Sequence, residues 1–230
     1  MTGKPRGSDV KERLVEAAVR LLADSGPEAL QARKIAAEVG ASTMAVYTHF
    51  GGMAALLDAV AWEGFRRLSA NLAAVTPTED PVADLLAMSL AYRHTARQHP
   101  ELFAVTFGRS KGRSLAEIVA SDDPNEGSAA FGYLLRATER AIEAGRFHGE
   151  PFPAAAQLWS GVHGYVTLET AGHFGQRRQD VEDILVPLGV TLAIGLGDTP
   201  EAARRSGESG LAGWHRAEVR SSMREDEGNA

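Results

Sequence analysis

The sequence IAAEVGASTMAVYTHF, residues 35–50, constrains this chain more than any other. It reads as one helix closing, a tight turn and a second short helix opening. Ile35, Ala36 and Val39 share a helical face, and Gly40 supplies the left-handed position that ends a helix. Ser42 stands at the next N-cap, where a hydroxyl is expected to accept a bond from an orphan amide. In the segment TMAVYTHF, Val46 and Phe50 are four apart and form one narrow apolar edge. Thr43, Met44, Ala45, Tyr47, Thr48 and His49 are left for the other faces. A short helix with one buried edge and small hydroxyls, an aromatic and a histidine elsewhere can enter a groove. This is the pattern of a helix-turn-helix whose second helix lies in the DNA major groove.

The run G-A-S-x-x-x-V-Y-x-H-F from Gly40 to Phe50, followed by a helix ending L-L-D-A-V, resembles the tetracycline-repressor (TetR) family of bacterial regulators. The resemblance implies an all-α protein. A three-helix helix-turn-helix DNA-binding domain would come first, then a larger helical domain for ligand binding and dimerisation. It makes Thr43, Met44, Ala45 and Thr48 the base-facing candidates and Tyr47 and His49 the phosphate holders. Ser42 stands at the head of that helix, and Arg33 matches a family arginine near the groove edge. Threonine and alanine methyls suit thymine methyl groups, and threonine hydroxyls can donate or accept. The chain also departs from the family. Gln31 stands where a capping hydroxyl is usual, and Met53 where a phosphate-anchoring lysine is common. No Arg, Asn or Gln lies on the reading helix, so direct base readout is thin and Arg33 or DNA shape carries more of it.

A chain of 230 residues can bury a real core. Its glycines and prolines punctuate segments of helical period, and alternating period-two runs are nearly absent. It contains no cysteine, so a disulfide framework, a thiolate zinc site and a cysteine nucleophile are excluded. No apolar run approaches the roughly 18 residues of a membrane span, and the N-terminus has no apolar signal core. A cytoplasmic protein is expected. The net charge of −6 is unevenly spread, at +1 over residues 1–50 and −7 over 51–230. Phosphate contact requires local cations, amides and helix N-termini rather than a basic whole, so the acidic part should face away from a duplex.

Residues 1–8, with Lys4 and Arg6, read either as a disordered arm or as a basic extension onto DNA. A first helix is predicted over 9–24, a second over 31–39, and a fourth from Met53 to Leu72 that links the domains. The helix-turn-helix domain is accordingly set at 1–52, with 53–73 as linking helix. A Thr/Pro/acidic linker over 75–81 precedes helices over 81–98, 100–107 and 128–144, and residues 110–125 read as a polar loop. Trp159, His163 and Gly164, in a helix opened by Pro153, resemble a W-x-x-x-H-G C-terminal domain found in some regulators of this family. A ninth helix over 181–196 is apolar on nearly every side and must be buried on more than one face. Pro187 within it should kink it or remove a bond. The resemblance implies that these last two helices form a four-helix homodimer interface. Residues 74–197 thus read as the effector-binding and dimerisation domain. Residues 198–230, rich in glycine, serine and charge, read as a disordered tail to which Trp214 could still dock.

Among the aromatic residues, Tyr92, Phe103, Phe107, Phe131, Trp159 and His163 are candidates to line an apolar ligand pocket, although each also suits plain packing. His163 either polarises a ligand or bonds a neighbouring helix. Glu169 and His173 have the spacing of metal ligands, but H-E-x-x-H, a phosphate-binding glycine loop and a nucleophile elbow are all missing. The expectation is therefore no catalysis, no metal and no cofactor. The sequence points to a homodimeric, ligand-responsive transcriptional regulator. It would act as a repressor on a palindromic operator and be released by a small apolar or amphipathic effector. The alternative is a helical ligand carrier or enzyme that has lost DNA binding.

Overall fold

The computed structural model describes residues 7–109, 128–175 and 180–228. Helices account for every regular element among them: α1 Gly7–Ser25, a 3-10 turn Pro27–Ala29, α2 Ala32–Glu38, α3 Thr43–Phe50, α4 Met53–Ala73, α5 Pro81–Gln98, α6 Pro100–Arg109, α7 Ser128–Glu143 and α8 Pro151–Thr170, then a π-helical turn Val181–Leu185 running into α9 Val186–Gly195, and last α10 Pro200–Gly228. The all-α expectation holds. The arm over 1–8 and the loop over 110–125 fall largely or wholly outside the described residues.

The chain divides into two compact units, residues 1–67 with 96–128, and 68–95 with 129–230. The division differs from the boundary expected at residues 73–74, because α6 belongs with the helix-turn-helix. Leu102 is buried in one cluster with Leu14, Leu22, Ile35, Val46, Leu56 and Val60, and Val105 packs against that cluster. Pro100 separates α5 from α6. It ends the run of α5, since a proline disfavours helical geometry in the residue before it, and it starts α6 at a position where its missing N–H costs nothing.

In the second unit α5 begins where Asp80 caps it, its carboxylate accepting from the amides of Val82 and Ala83 at 3.1 and 3.2 Å. Pro187 is accommodated rather than kinked around. The wider π-turn lies immediately before it, and Pro187 occupies the first turn of α9. Gly161 of α8 lets α9 approach closely, since a Cβ there would stand 2.7 Å from Leu192 Cδ1.

Residues 200–228 are not the disordered tail that their composition suggests; they form α10. Thr199 caps it, its hydroxyl accepting from the Ala202 amide at 3.2 Å, and Pro200 follows at the favoured first position. Ala203 and Ser206 are buried, and with Gly207, Gly210 and Trp214 they fall on one stripe at helical spacing. A Cβ on Gly207 would stand 3.0 Å from Val190 Cγ2, and one on Gly210 would stand 2.6 Å from the Ala83 carbonyl oxygen. Small residues are therefore what bring α10 against α9 and α5, and Trp214 meets His94 edge-on at 5.6 Å.

A polar clasp holds the start of α10. Arg146 donates to both Asp198 oxygens at 2.7 and 2.6 Å, and also to Asp80 at 3.2 Å and to the Ser206 hydroxyl at 2.9 Å. Ser206 in turn donates to Asp80 at 2.6 Å. Burial raises the pKa of Asp80, but the bonds from Ser206, the two amides and Arg146 outweigh it and hold the carboxyl below its usual range.

Gly210→Val is expected to lift α10, because the obstructing atom is backbone and cannot swing aside. Faster tryptic cleavage at Arg204, Arg205 and Arg216 would report it. Wild-type cleavage rates would mean that α10 does not pack this closely.

Candidate functional site

The helix-turn-helix is built as its residues dictate. Gly40 and Gly51 take positive φ values of 68° and 75°, the first ending the turn of α2 and the second capping α3. Ile35, Ala36 and Val46 are fully buried, and Phe50 packs at the edge of the same core under the Lys11 ammonium, 5.6 Å from its ring centre. Arg13 of α1 donates to the Val39 carbonyl oxygen at 2.9 Å and so ties the end of α2 to the first helix. Sequence reading missed this contact because nothing local links positions 26 apart.

With Val46 inward and Ala45 and Phe50 packed against the same core, the opposite face of α3 is open: Met44 is 67% exposed and Tyr47 50% exposed. Ser42, Thr43 and Thr48 are also exposed, Ala45 and His49 are half-buried, and Arg33 and Lys34 are exposed on α2. Two details differ from expectation. Ser42 makes no side-chain cap; its backbone carbonyl accepts from the Ala45 amide instead, at 2.9 Å. The Thr48 hydroxyl donates to the Met44 carbonyl at 2.9 Å, so its proton is committed while its oxygen can still accept. Met53, in place of a lysine, packs against the core of the unit.

The second unit contains an apolar cavity of about 40 Å³, room for a few waters. Its walls come from α4, α5, α7, α8, α9 and α10, with Leu86, Tyr92, Trp159, Val190 and Gly207 among them, and from Phe147 in the turn between α7 and α8. Tyr92 and Trp159, both expected at a pocket, line it, their rings meeting edge-on at 5.3 Å. Phe131 stands behind Trp159 at 5.7 Å. His163 reaches Tyr92, with Nδ1 and the phenol oxygen 2.7 Å apart, which is the neighbour-bonding arrangement. Burial holds the Tyr92 phenol well above its usual pKa and His163 below its own, so both stay neutral at pH 7.

Phe103 and Phe107 lie on α6 in the first unit, 4.7 Å apart, with Phe107 against Phe65 at 5.3 Å. Arg93 forms a two-pronged ion pair with Glu169 at 2.5–2.9 Å, and Tyr165 beside it is pushed up to about 12 by burial and the Glu169 charge. No group of three or more metal-ligating side chains gathers among the described residues, and no single helix there is long and apolar enough to cross a membrane.

Two family descriptions match the chain. "Bacterial regulatory proteins, tetR family" covers residues 14–60, and "Tetracyclin repressor-like, C-terminal domain" covers residues 85–188. An uncharacterized HTH-type transcriptional regulator of Mycobacterium tuberculosis is 26% identical over 162 residues, 70% of this chain and 71% of its own length. A protein of unknown function from Rhodococcus sp. RHA1 shares the fold at 27% identity with a TM-score of 0.69, over 86% of this chain and 97% of its own. RolR, solved in complex with the ligand resorcinol, shares it at 18% identity with a TM-score of 0.62, over 87% of this chain and 94% of its own. With its reading helix and its C-terminal domain both matched, this chain belongs to the TetR family of DNA-binding transcriptional regulators.

Proposed function

We propose that the protein is a homodimeric repressor that binds a palindromic operator and is released by a small apolar or amphipathic effector. One observation carries the reading. On α3 Val46 is fully buried and Phe50 packs against the same core, while Thr43, Met44, Tyr47 and Thr48 stand exposed. In this reading Arg33, Ser42, Thr43, Met44, Ala45, Tyr47, Thr48 and His49 meet the duplex in the cytoplasm. Two copies joined through α8 and α9 reach two half-sites. The effector occupies the cavity beside Tyr92 and Trp159, with Phe131 and His163 supporting those two rings. The Trp159, His163 and Gly164 spacing supports a W-x-x-x-H-G type of C-terminal domain. Release follows if the effector binds the non-operator conformation more tightly than the operator-bound one.

The rival reading, a ligand carrier that has lost DNA binding, draws on the absence of Arg, Asn and Gln from α3 and on Met53 being spent on the core. Anisotropy with labelled duplexes separates the two readings and also tests the assigned roles. Tyr47→Ala should weaken binding to every sequence by about tenfold and flatten the salt dependence, as loss of a phosphate contact does. Thr43→Ala should instead change base preference at one position of each half-site. Equal, uniform losses for both would contradict these roles, and no salt-sensitive binding to any duplex would favour the rival.

A further inference from the structure

The two ends of α3 are not held alike. At its C-terminal end Val46 is fully buried, Phe50 packs against the same core, and the Lys11 ammonium of α1 stands 5.6 Å from the Phe50 ring centre. At its N-terminal end Thr43 and Met44 are exposed, Ser42 makes no side-chain cap, and the first side chain to touch the core is Ala45. This is the end that meets base edges when such a helix lies in the major groove. Its place is therefore set through the turn that leads into it.

The turn closes part of its own backbone. The Ala41 amide donates to the Ala36 carbonyl at 2.9 Å, and the Gly40 amide to the Ala37 carbonyl at 3.1 Å. The Val39 carbonyl instead accepts from the Arg13 guanidinium of α1 at 2.9 Å. A cation suits the C-terminal end of α2, where the helix dipole is negative. Only Gly40, Ala41 and Ser42 lie between Val39 and α3, so a shift of the Val39 carbonyl carries the first turn of α3 with it. Arg13 is itself exposed, and an exposed bond of this kind contributes little to global stability. Its effect is on placement.

We propose that Arg13 is a positioning residue for operator reading: through the Val39 carbonyl it holds the N-terminal end of α3, with Thr43 and Met44, at the depth where base edges are met, without itself touching DNA. This rests on the reading that α3 meets the duplex and adds what sets the helix in place.

Two variants of the full-length protein test it. Arg13→Met keeps the aliphatic stem and removes the donor, and Arg13→Lys keeps a cationic donor. Each is titrated over a salt series against a random duplex and against the duplex that the unaltered protein enriches from a random pool. Arg13→Met should lose about tenfold in affinity for the enriched duplex, the order of one mismatched base pair. Its affinity for the random duplex should stay within about twofold, with the salt slope unchanged. Arg13→Lys should recover most of the loss. If Arg13 held a phosphate, both duplexes would weaken and the slope would flatten by about 0.9 per protomer. If it served stability alone, the melting temperature would fall and both duplexes would weaken with the active fraction. Either result would overturn the assignment. Hydrogen exchange without DNA gives a second reading: peptides over 40–46 should exchange about threefold faster or more in Arg13→Met, and those of α1 at the parental rate. Unchanged exchange at 40–46 would overturn the tether on its own. Absence of salt-sensitive binding by the unaltered protein would instead sink the reading of α3.

Discussion

Replacing Ile184 and Leu188 together by glutamate is expected to give monomers and to cut operator affinity by about 10²–10⁴-fold. The protomer leaves an apolar face that it does not cover itself. On the helical run ending in α9, Pro187, Thr191 and Gly195 are exposed, and Ile184 and Leu188 are only half-buried. On α8, Leu168 is 45% exposed, and a Cβ on Gly164 would meet nothing within 4 Å. Gly161 on the same helix is already filled by Leu192, so Gly164 is the position still open to a second copy. Two unpaired carboxylates per protomer in such an interface, each lacking a cation, would lose hydration without compensation. The affinity loss follows because each α3 would then have to find its half-site independently. Leu188 also touches the α8 side, so Thr191→Glu, at an exposed position, is the companion variant and should dissociate the dimer as well. Light scattering reads the mass. A dimer that survives both changes would place the interface elsewhere.

Gly64→Ala is expected to be the most disruptive single methyl in the DNA-binding unit. A Cβ there would stand 1.8 Å from Thr106 Oγ1 and 3.1 Å from its Cβ. Thr106 is 2% exposed, and its hydroxyl donates to the Leu102 carbonyl at 2.7 Å, so the oxygen is not free to rotate away. Alanine gains up to about 1 kcal/mol over glycine in a helix interior. Overpacking at this distance costs about 1–3 kcal/mol or more, and the steric term wins. At roughly 2–4 °C per kcal/mol for a chain of this size, the melting temperature should fall by several degrees. Adding Thr106→Ala removes the obstructing oxygen and should recover part of the loss, whereas independent sites would simply add. A Gly64→Ala protein that melts like the parent, or no recovery in the double variant, would mean that α4 and α6 are farther apart.

Punctuation made the reading head legible in the sequence. Gly40 and Gly51 fix the two ends of the turn and of α3, and the i, i+4 pair Val46 and Phe50 fixes which face is inward. The bounds of α5 follow from Asp80-Pro81 and His99-Pro100 for the same reason. Two parts were not legible. The α10 stripe of Ala203, Ser206, Gly207, Gly210 and Trp214 contains too little hydrophobicity to register as an amphipathic face, yet small residues gain contact by close approach rather than by area. The start signal, Thr199 followed by Pro200, was present in the sequence and was outweighed by the composition after it. Aromatic content alone makes Phe103 and Phe107 candidates for a pocket. Content does not reveal which unit a helix joins, and Leu102 and Thr106 on the same helix commit α6 to the helix-turn-helix. The pairing of Tyr92 with His163 spans 71 positions, and only the fold brings it together.

The central claim is that the exposed face of α3 reads DNA. Its most direct test is selection of bound duplexes from a random pool by the purified full-length protein at moderate salt. Enrichment of a palindrome whose half-sites are about one helical turn apart is expected, with the preference at one position of each half-site altered in Thr43→Ala. A folded dimer that enriches no sequence, or enriches the same one when Tyr47 and Thr43 are both alanine, would contradict it.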